Sequence, residues 1–396
     1  MEKIKYFNQD VDVKDKRVIL RSDFNVPLDG QKIRDTTRID LCIPFIKSLM
    51  NKKAKLFLIS HLGRPKKIDD KNFSLEPVFK YLKTKINNNI YFYSESIDEK
   101  TKDKTSFLKQ GEIILFENIR LNKGEITDDE KFAKNLSTLG EIYINNAFSC
   151  SHRKQASVHK VAKYLKHSYG GPSLKKELNS IDMVLNNEQK PISCIIGGAK
   201  VSTKIGVITS LIKKIDTLII VGAMANNFLK FKGFEIGKSL IEKDAHEIIK
   251  DIYKQSSINK CNIIIPSDFA VSDNLNGQAE NKDQSNISEN EIILDIGPET
   301  IKKINIIIDN SKTILWNGPA GYFENENFSK GTIAIAKKIS LNTDKKLLLS
   351  IVGGGDTISA IKNYHLKPNF THLSTAGGAF LEYLEGKNLP GIEVLK

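Results

Sequence analysis

The residues equipped for chemistry fall into two sets, and the sets are separated along the chain. The first set is cationic. Arg21, Asp23 and Asn25 follow one apolar run, His61 and Arg64 the next, Arg120 a third, and His152 with Arg153 a fourth, while Arg38 opens a segment of helical spacing. Arginine's planar fork matches phosphate and carboxylate oxygens, and it recurs at these places although lysine is the chain's commoner cation. One such arginine is usually a surface ion pair. Five at equivalent positions point to a pocket for a small, highly charged anion. His61 and His152 would add donors, although a lone histidine is more often structural.

The second set is built on glycine. In KKLLLSIVGGGDT (345–357) an apolar run, Leu347 to Val352, is interrupted only by Ser350 and stops at Gly353, Gly354 and Gly355. Such a run reads as a strand buried on both faces. The glycines allow positive φ and leave N–H groups free to wrap an anion. A helical run from Thr357 to Ile361 would put that loop at a helix N-terminus, where phosphate is favoured. Asp356 could hold a Mg²⁺ that accompanies the phosphates. One glycine triplet alone would be only a tight turn. Repetition argues otherwise: PISCIIGG (191–198), TLIIVG (217–222), NIIIPSDF (262–269), TILWNGPAGYF (313–323) and FTHLSTAGG (370–378) also read as strands ending in turn residues. Residues 199–204 are expected to start a helix, with Lys200 and Lys204 one turn apart on one face. The loop is neither a Walker A motif nor G-x-G-x-x-G. Pro319 and Gly321 shape a turn that would project Glu324 toward ribose hydroxyls. The polar stretch 272–290 reads as an exposed excursion.

The elements that must position these groups alternate. RVILRSDF (17–24), KLFLISHLG (55–63), NIYFYS (89–94), EIILFENIR (112–120) and EIYINNAF (141–148) read as strands, with helical spacing in 36–50 and 75–87. Alternation implies a parallel sheet wrapped by helices, with ligands beyond the carboxyl ends of its strands. Gly170-Gly171-Pro172 breaks the pattern. Leu174, Leu178, Ile181 and Leu185 then fall on one helical face, opened by Pro172 and ended by Lys190-Pro191. This is either a connecting helix between two α/β domains or an ordinary helix of one larger domain.

At 396 residues the chain exceeds one typical core, which favours two domains. Lys and Arg number 60 against 47 Asp and Glu, so the net charge is +13. That invites an anionic partner, but the lysines are scattered and no block reaches the length of a nucleic-acid arm. Cys42, Cys150, Cys194 and Cys261 are far apart, which argues against a disulfide framework or metal site and for a reducing cytosol. Cys150 reads as a packed thiol. The N-terminus MEKIKYFNQD lacks an apolar signal region and no run approaches a membrane span, so a soluble, cytoplasmic protein is expected. One half is equipped for an anionic metabolite and the other for a nucleotide. The chemistry that needs both is phosphoryl transfer, which demands alignment and charge neutralisation.

Taken in order, the motifs resemble the phosphoglycerate kinase family. They are RSDFNVPL (21–28), HLGRP (61–65), SHR (151–153), GGAKVSTK (197–204), WNGPAGYFE (316–324), GGGDT (353–357) and STAGGAFLEYLEGK (374–387), and they cover nearly the whole chain. The resemblance implies an α/β fold of two Rossmann-like lobes, each a parallel sheet flanked by helices, joined by a connecting helix. The triose-binding lobe would be 1–171, with 380–396 returning to it; the helix would be 172–187 and the nucleotide-binding lobe 188–379. It implies reversible transfer from 1,3-bisphosphoglycerate to MgADP, giving 3-phosphoglycerate and MgATP, by a monomer that binds no nucleic acid. On this resemblance Asp23, Phe24, Asn25, Arg38, His61, Leu62, Gly63, Arg64, Arg120, His152 and Arg153 form the triose site. Gly198, Ala199, Lys200, Lys204, Leu294, Asn317, Pro319, Glu324, Gly354, Gly355, Asp356 and Thr357 form the nucleotide site, with Asp356 at the metal. Arg38, Lys200, Lys204 and the helix N-terminus at Gly377-Gly378 would stabilise the moving phosphoryl group. Four positions depart from the pattern: Asn146, Ser149, Ala223 and Ala376 stand where Asp and three glycines are usual. A dinucleotide-dependent dehydrogenase would also use glycine loops, but no acidic residue follows at the needed spacing. An RNA-binding protein would explain the charge, yet the stacking aromatics are missing.

Overall fold

Arg17–Arg21 (β1) reads RVILR and is buried from Val18 onward. A strand with no polar face must be covered on both sides, which a parallel sheet between helices achieves. The computed structural model describes residues 3–86, 89–186, 189–366 and 368–396. In it β1 is an inner strand of a six-stranded parallel sheet with Lys55–Ile59 (β2), Ile90–Tyr93 (β3), Ile113–Phe116 (β4), Ile142–Asn145 (β5) and His167–Gly170 (β6). The order is β3-β4-β2-β1-β5-β6. The chain runs outward from β1 on the β2 side and then returns to β5 on the other side. The switch point therefore lies between the carboxyl ends of β1 and β5, where ligands of such sheets bind.

Thr37–Asn51 (α1) buries Ile39, Cys42, Ile46 and Leu49, three or four residues apart, against Leu20, Leu56 and Leu58 of the sheet. Each such side chain contributes roughly 1.5–3 kcal/mol on burial. Glu76–Ile86 (α2) and Glu130–Ser137 (α3) are amphipathic in the same way. Pro172–Leu185 (α4) buries Leu174, Leu178, Ile181 and Val184, while Leu185 is more exposed. The expected span of this helix, 172–187, ends on a residue outside those described.

The chain forms two compact units, Met1–Leu178 with Asn388–Lys396, and Asn179–Lys387; the division falls within α4. The strands of the second unit are Ile192–Ile196 (β7), Thr217–Ile220 (β8), Asn262–Ile264 (β9), Asp268–Ser272 (β10), Glu280–Asp283 (β11), Ile292–Ile296 (β12), Thr313–Asn317 (β13), Leu349–Gly353 (β14) and His372–Ser374 (β15). Six of them make a parallel sheet of order β9-β8-β7-β13-β14-β15, so its switch point lies between β7 and β13. Its helices are Ile205–Ile212 (α5), Met224–Phe231 (α6), Ala245–Asn259 (α7), Pro298–Asn310 (α8), Lys330–Asp344 (α9), Gly355–Asn363 (α10) and Gly378–Leu384 (α11). Trp316 is fully buried among Ile195, Val352, Ile304 and Ile335, which joins β13 to α8 and α9.

Two sequence expectations need correction. NIIIPSDF is not one strand: β9 closes the parallel sheet at Ile264, and after Pro266 the chain enters β10 of a separate antiparallel sheet, β11-β10-β12. The polar stretch 272–290 is mostly exposed, as expected, and contains β11, whose charged residues are paired by backbone rather than by apolar burial. Residues 199–204 are turn, and α5 begins only at Ile205. Lys200 and Lys204 therefore do not share a helical face.

Candidate functional site

At the first switch point the chain gathers cations with few acids. Asp23 is the organiser. Its carboxylate accepts from Asn25 N at 3.1 Å and from Ser149 Oγ at 2.6 Å, and it pairs with Arg38 at 3.1 Å. Arg38 also donates to Asn25 O at 3.1 Å. Ser149, where the resemblance leads one to expect glycine, is thus an added ligand to this carboxylate. Asn146 accepts from Ser173 N at 2.8 Å, and its amide packs where a Cβ on Gly171 would fall.

The loop after β2 is tied to the others through its backbone. Asn25 Oδ1 accepts from Gly63 N at 2.8 Å, and Gly63 O accepts from Arg120 at 2.6 Å. Gly63 has φ +59°, and a Cβ there would overlap the Phe73 ring, so only glycine fits. Phe24 and Leu62 are buried and offer the site their backbone alone. Asn118, which sequence reading missed, is a fully buried clasp. It accepts from Leu62 N and Arg120 N, both at 3.1 Å, and donates to Leu62 O and Phe73 O.

His61 sits among the guanidiniums. Burial drives its pKa well below the ordinary value, and Arg21, Arg120, Arg38 and Arg153 push the same way, so the ring is neutral. His152 is lowered to about 4 by burial and then by Arg153. Even Arg120 falls to about 10 through burial and the nearby Arg21 and Arg153. Arg64 stands exposed on its loop without an ion pair among the described residues. Guanidiniums that add to the burial of His61, His152 and Arg120 in lowering their pKa values form a site short of negative charge, which an anion would supply.

At the second switch point side chains are removed. The turns after β7 and β13 meet backbone to backbone: a Cβ on Gly197 would overlap Pro319 O, and one on Gly318 would overlap Gly197. Gly198 and Gly318 have φ +120° and +108°. Thr357 Oγ1, in the first turn of α10, accepts from Gly318 N at 2.7 Å and so links the turn after β13 to the glycine loop after β14. α10 starts at Gly355, two residues earlier than expected, with Gly354 at φ +102° as its cap.

Lys204 caps α5, and its ammonium turns back across these loops. Nζ donates to Gly197 O at 2.6 Å, to Asn317 Oδ1 at 2.7 Å and to Asn317 O at 3.2 Å. Burial lowers its pKa to about 8, against the opposing pull of Cys194 and Asp356. Asn317 Nδ2 is a buried donor with no partner among the described residues. Lys200 is exposed on the turn. Gly198, Ala199, Leu294, Pro319, Glu324 and Asp356 line a cavity of about 350 Å³, a volume suited to a nucleoside, with Ala223 also in its wall. Asp295, another cavity residue missed from sequence, accepts from Ile296 N and Gly331 N at 2.8 Å, and burial raises it to about 7. Gly377, at φ +54°, caps α11, with open space where a Cβ would lie; Ala376 beside it is buried.

A glycine cradle with a buried ammonium on one parallel sheet, and a guanidinium cluster on another, define a phosphotransferase: a kinase of the two-lobed α/β class. The family model described as phosphoglycerate kinase matches residues 8–387. A phosphoglycerate kinase of Wolbachia sp. subsp. Drosophila simulans (strain wRi) is 43% identical over 391 residues, covering 98% of each chain. The structure of phosphoglycerate kinase from Coxiella burnetii aligns with TM-score 0.89 at 38% identity, covering 98% of this chain and 97% of that one. The enzyme from Pyrococcus horikoshii OT3 aligns with TM-score 0.82 at 27% identity, over 98% of both. The chain belongs to the phosphoglycerate kinase family.

Proposed function

We propose that the guanidinium cluster holds the triose, that the glycine loops hold the nucleotide, and that the moving phosphoryl group passes between them. The reaction is reversible transfer from the acyl phosphate of 1,3-bisphosphoglycerate to ADP, giving 3-phosphoglycerate and ATP. The functional lobes are residues 1–171 with 380–396, and 188–379, joined by 172–187. The observation that carries the reading is the contrast in charge supply. His61, Arg120 and His152 are all lowered by burial and further by neighbouring cations, and this second part is what a multiply charged triose relieves.

In this reading Asp23 and Asn25 fix Arg38 and the loop carrying Gly63, so that Arg38, Arg64, Arg120, Arg153 and the neutral His61 and His152 meet the triose's anionic oxygens. Ala199, Leu294 and Pro319 enclose the base, and Glu324 accepts from the ribose. Backbone N–H groups at Gly198 and at Gly354–Thr357 cradle the phosphates, where the α10 N-terminus favours negative charge. Asn317 Nδ2 gives them one more donor. No covalent intermediate is required. Transfer needs the carboxylate oxygen, phosphorus and the terminal phosphate oxygen of ADP in line, and donors where charge develops. Lys204, Lys200, Arg38 and the N–H groups at Gly377-Gly378 supply those donors.

The nucleotide site also suits Mg²⁺. Asp356 is an exposed carboxylate in the cavity wall, and a lone carboxylate beside phosphate oxygens is how Mg²⁺ is usually held. A bound Mg²⁺ would neutralise phosphate charge. Asp356→Asn is expected to shift the Mg²⁺ titration of activity to higher concentration while leaving the Michaelis constant for 3-phosphoglycerate in place; superimposable titrations would remove Asp356 from the metal. No helix among the described residues is long and apolar enough to cross a membrane, and the four cysteines are free and buried. Both features support a cytosolic enzyme, which we take to be monomeric and free of nucleic acid. The assignment is tested by a coupled assay of ATP consumption with 3-phosphoglycerate. Arg120→Ala should raise the Michaelis constant for the triose without changing that for ATP; the reverse pattern overturns it.

A further inference from the structure

Beneath the cationic cluster lies a chain of buried groups that the phosphoryl path does not use. Arg21 is fully buried, and no carboxylate pairs with it directly among the described residues. A buried guanidinium needs a counter-charge. Here it comes through a hydroxyl. Arg21 Nε donates to Ser157 Oγ at 3.1 Å, and Ser157 Oγ donates to Glu125 Oε1 at 2.7 Å. Glu125 Oε2 accepts from Ser157 N at 2.8 Å, and Glu125 and Ser157 are themselves fully buried. Tyr143 holds the same segment by donating to Ser157 O at 2.9 Å.

The other end of Arg21 reaches the site. Its second amino group lies 3.1 Å from His61 Nδ1. A guanidinium has donors and no acceptor, so Nδ1 must be the bare, accepting nitrogen. The ring is then neutral, with its proton on Nε2, which makes no hydrogen bond among the described residues. We propose that Glu125 and Ser157 are positioning residues for the triose site: by anchoring Arg21 they impose the Nε2–H form of His61 and aim it as a donor toward an anionic oxygen. Without the anchor, Arg21 would keep only its bond to Ser22 O, at 2.6 Å, besides the histidine, and His61 could exchange tautomers, presenting a lone pair to an anion for part of the time. The proposal rests on the reading that this cluster holds the triose.

The test reads the histidine before any ligand is added. In ¹⁵N-edited spectra of the free enzyme, with His61→Gln used only to assign the ring, the wild type should show the bare nitrogen at Nδ1 and the proton at Nε2. A proton on Nδ1, or a mixture, overturns the relay whatever the triose does. Ser157→Ala should give a mixed tautomer and raise the Michaelis constant for 3-phosphoglycerate roughly tenfold, the loss of one charge-directed hydrogen bond, with that for ATP unchanged. Glu125→Gln should act in the same direction, and Ser157→Thr, which keeps the hydroxyl, should restore both readouts. A tautomer that shifts in Ser157→Ala while triose kinetics stay fixed would overturn the triose reading of the cluster. Unchanged spectra and kinetics in Ser157→Ala would overturn the positioning role. If both variants at the anchor fail to fold, the wild-type spectrum alone decides.

Discussion

The two parallel sheets differ in strand order, yet each has a switch point beside its first strand, and the two end differently there. In the first, the strand ends and the loops beyond them carry long side chains: Arg21 and Arg153 lie close enough to the buried His61 and Arg120 to hold their pKa values down further than burial does. In the second, β7 and β13 end in glycines whose Cβ positions are already occupied by the facing loop. The crevice comes with the topology, but the chemistry within it is set by what the strand ends carry. Side-chain recognition suits a small anion that must be enclosed by several charges. Backbone recognition suits a polyphosphate lying along N–H groups, and it requires the absence of side chains. The two designs should therefore fail differently: the first gradually, charge by charge, and the second at single atoms.

The largest effect is expected where the second design does use a side chain. Lys204→Ala should lower kcat by roughly 10²–10³-fold while ADP affinity stays within an order of magnitude, because a charge needed mainly as the phosphoryl group moves acts on the transition state. Single-turnover kinetics beside calorimetric ADP binding separate the two quantities. A normal kcat would remove Lys204 from the transfer path and leave it as a clamp on Gly197 and Asn317.

Next comes a direct contrast between the switch points. A methyl group on Gly197 has no space, since the atom it meets is the Pro319 backbone oxygen. Gly197→Ala should weaken ADP binding by roughly ten- to a hundredfold, the equivalent of a few kcal/mol of overpacking, and leave triose binding alone. Arg120→Ala should do the reverse. Calorimetric titration of both variants with both ligands gives four numbers, and a variant that weakens both ligands equally would erase the distinction between the two designs.

How much of this was legible from sequence depended on whether the determinant was local. Short apolar runs stopped by Gly or Asn located most of the strands, because the run and its terminator lie together in the chain. HSYG became β6 without an apolar run, placed by pairing with β5 and by the bridge from Tyr6 to Gly170. The expected helix over 199–204 failed because Lys204 bonds to Asn317, far along the chain, and that contact outweighs a local propensity. NIIIPSDF misled because periodicity cannot show a change of sheet, although Pro266 was a signal for it. At the sites, cations and glycines announced themselves by type. Asn118, Glu125, Ser157 and Asp295 did not, since each matters through a buried polar contact with residues distant in sequence.

The smallest effect sharpens the comparison through pH. Each unit buries a carboxyl near its site, and burial raises both, but Glu125 has Arg21 to oppose the rise, whereas Asp295 has two backbone N–H groups and only the weaker pull of Lys330. Asp295 is displaced from 3.8 to about 7. An acid whose folded pKa lies above its unfolded value holds its proton more tightly when folded. Its stabilising contribution is therefore complete below about pH 4 and is lost as pH rises through 7. Global stability should decline across that window by an amount on the order of a few kcal/mol at most. Asp295→Asn cannot titrate, and one of its two N–H partners loses its acceptor, so the variant should start less stable at pH 5 and approach the wild type by pH 8. Urea unfolding across this range measures both curves. Parallel curves would mean that Asp295 keeps its charge in the folded state, and that the floor of the nucleotide cavity is more polar than its burial implies.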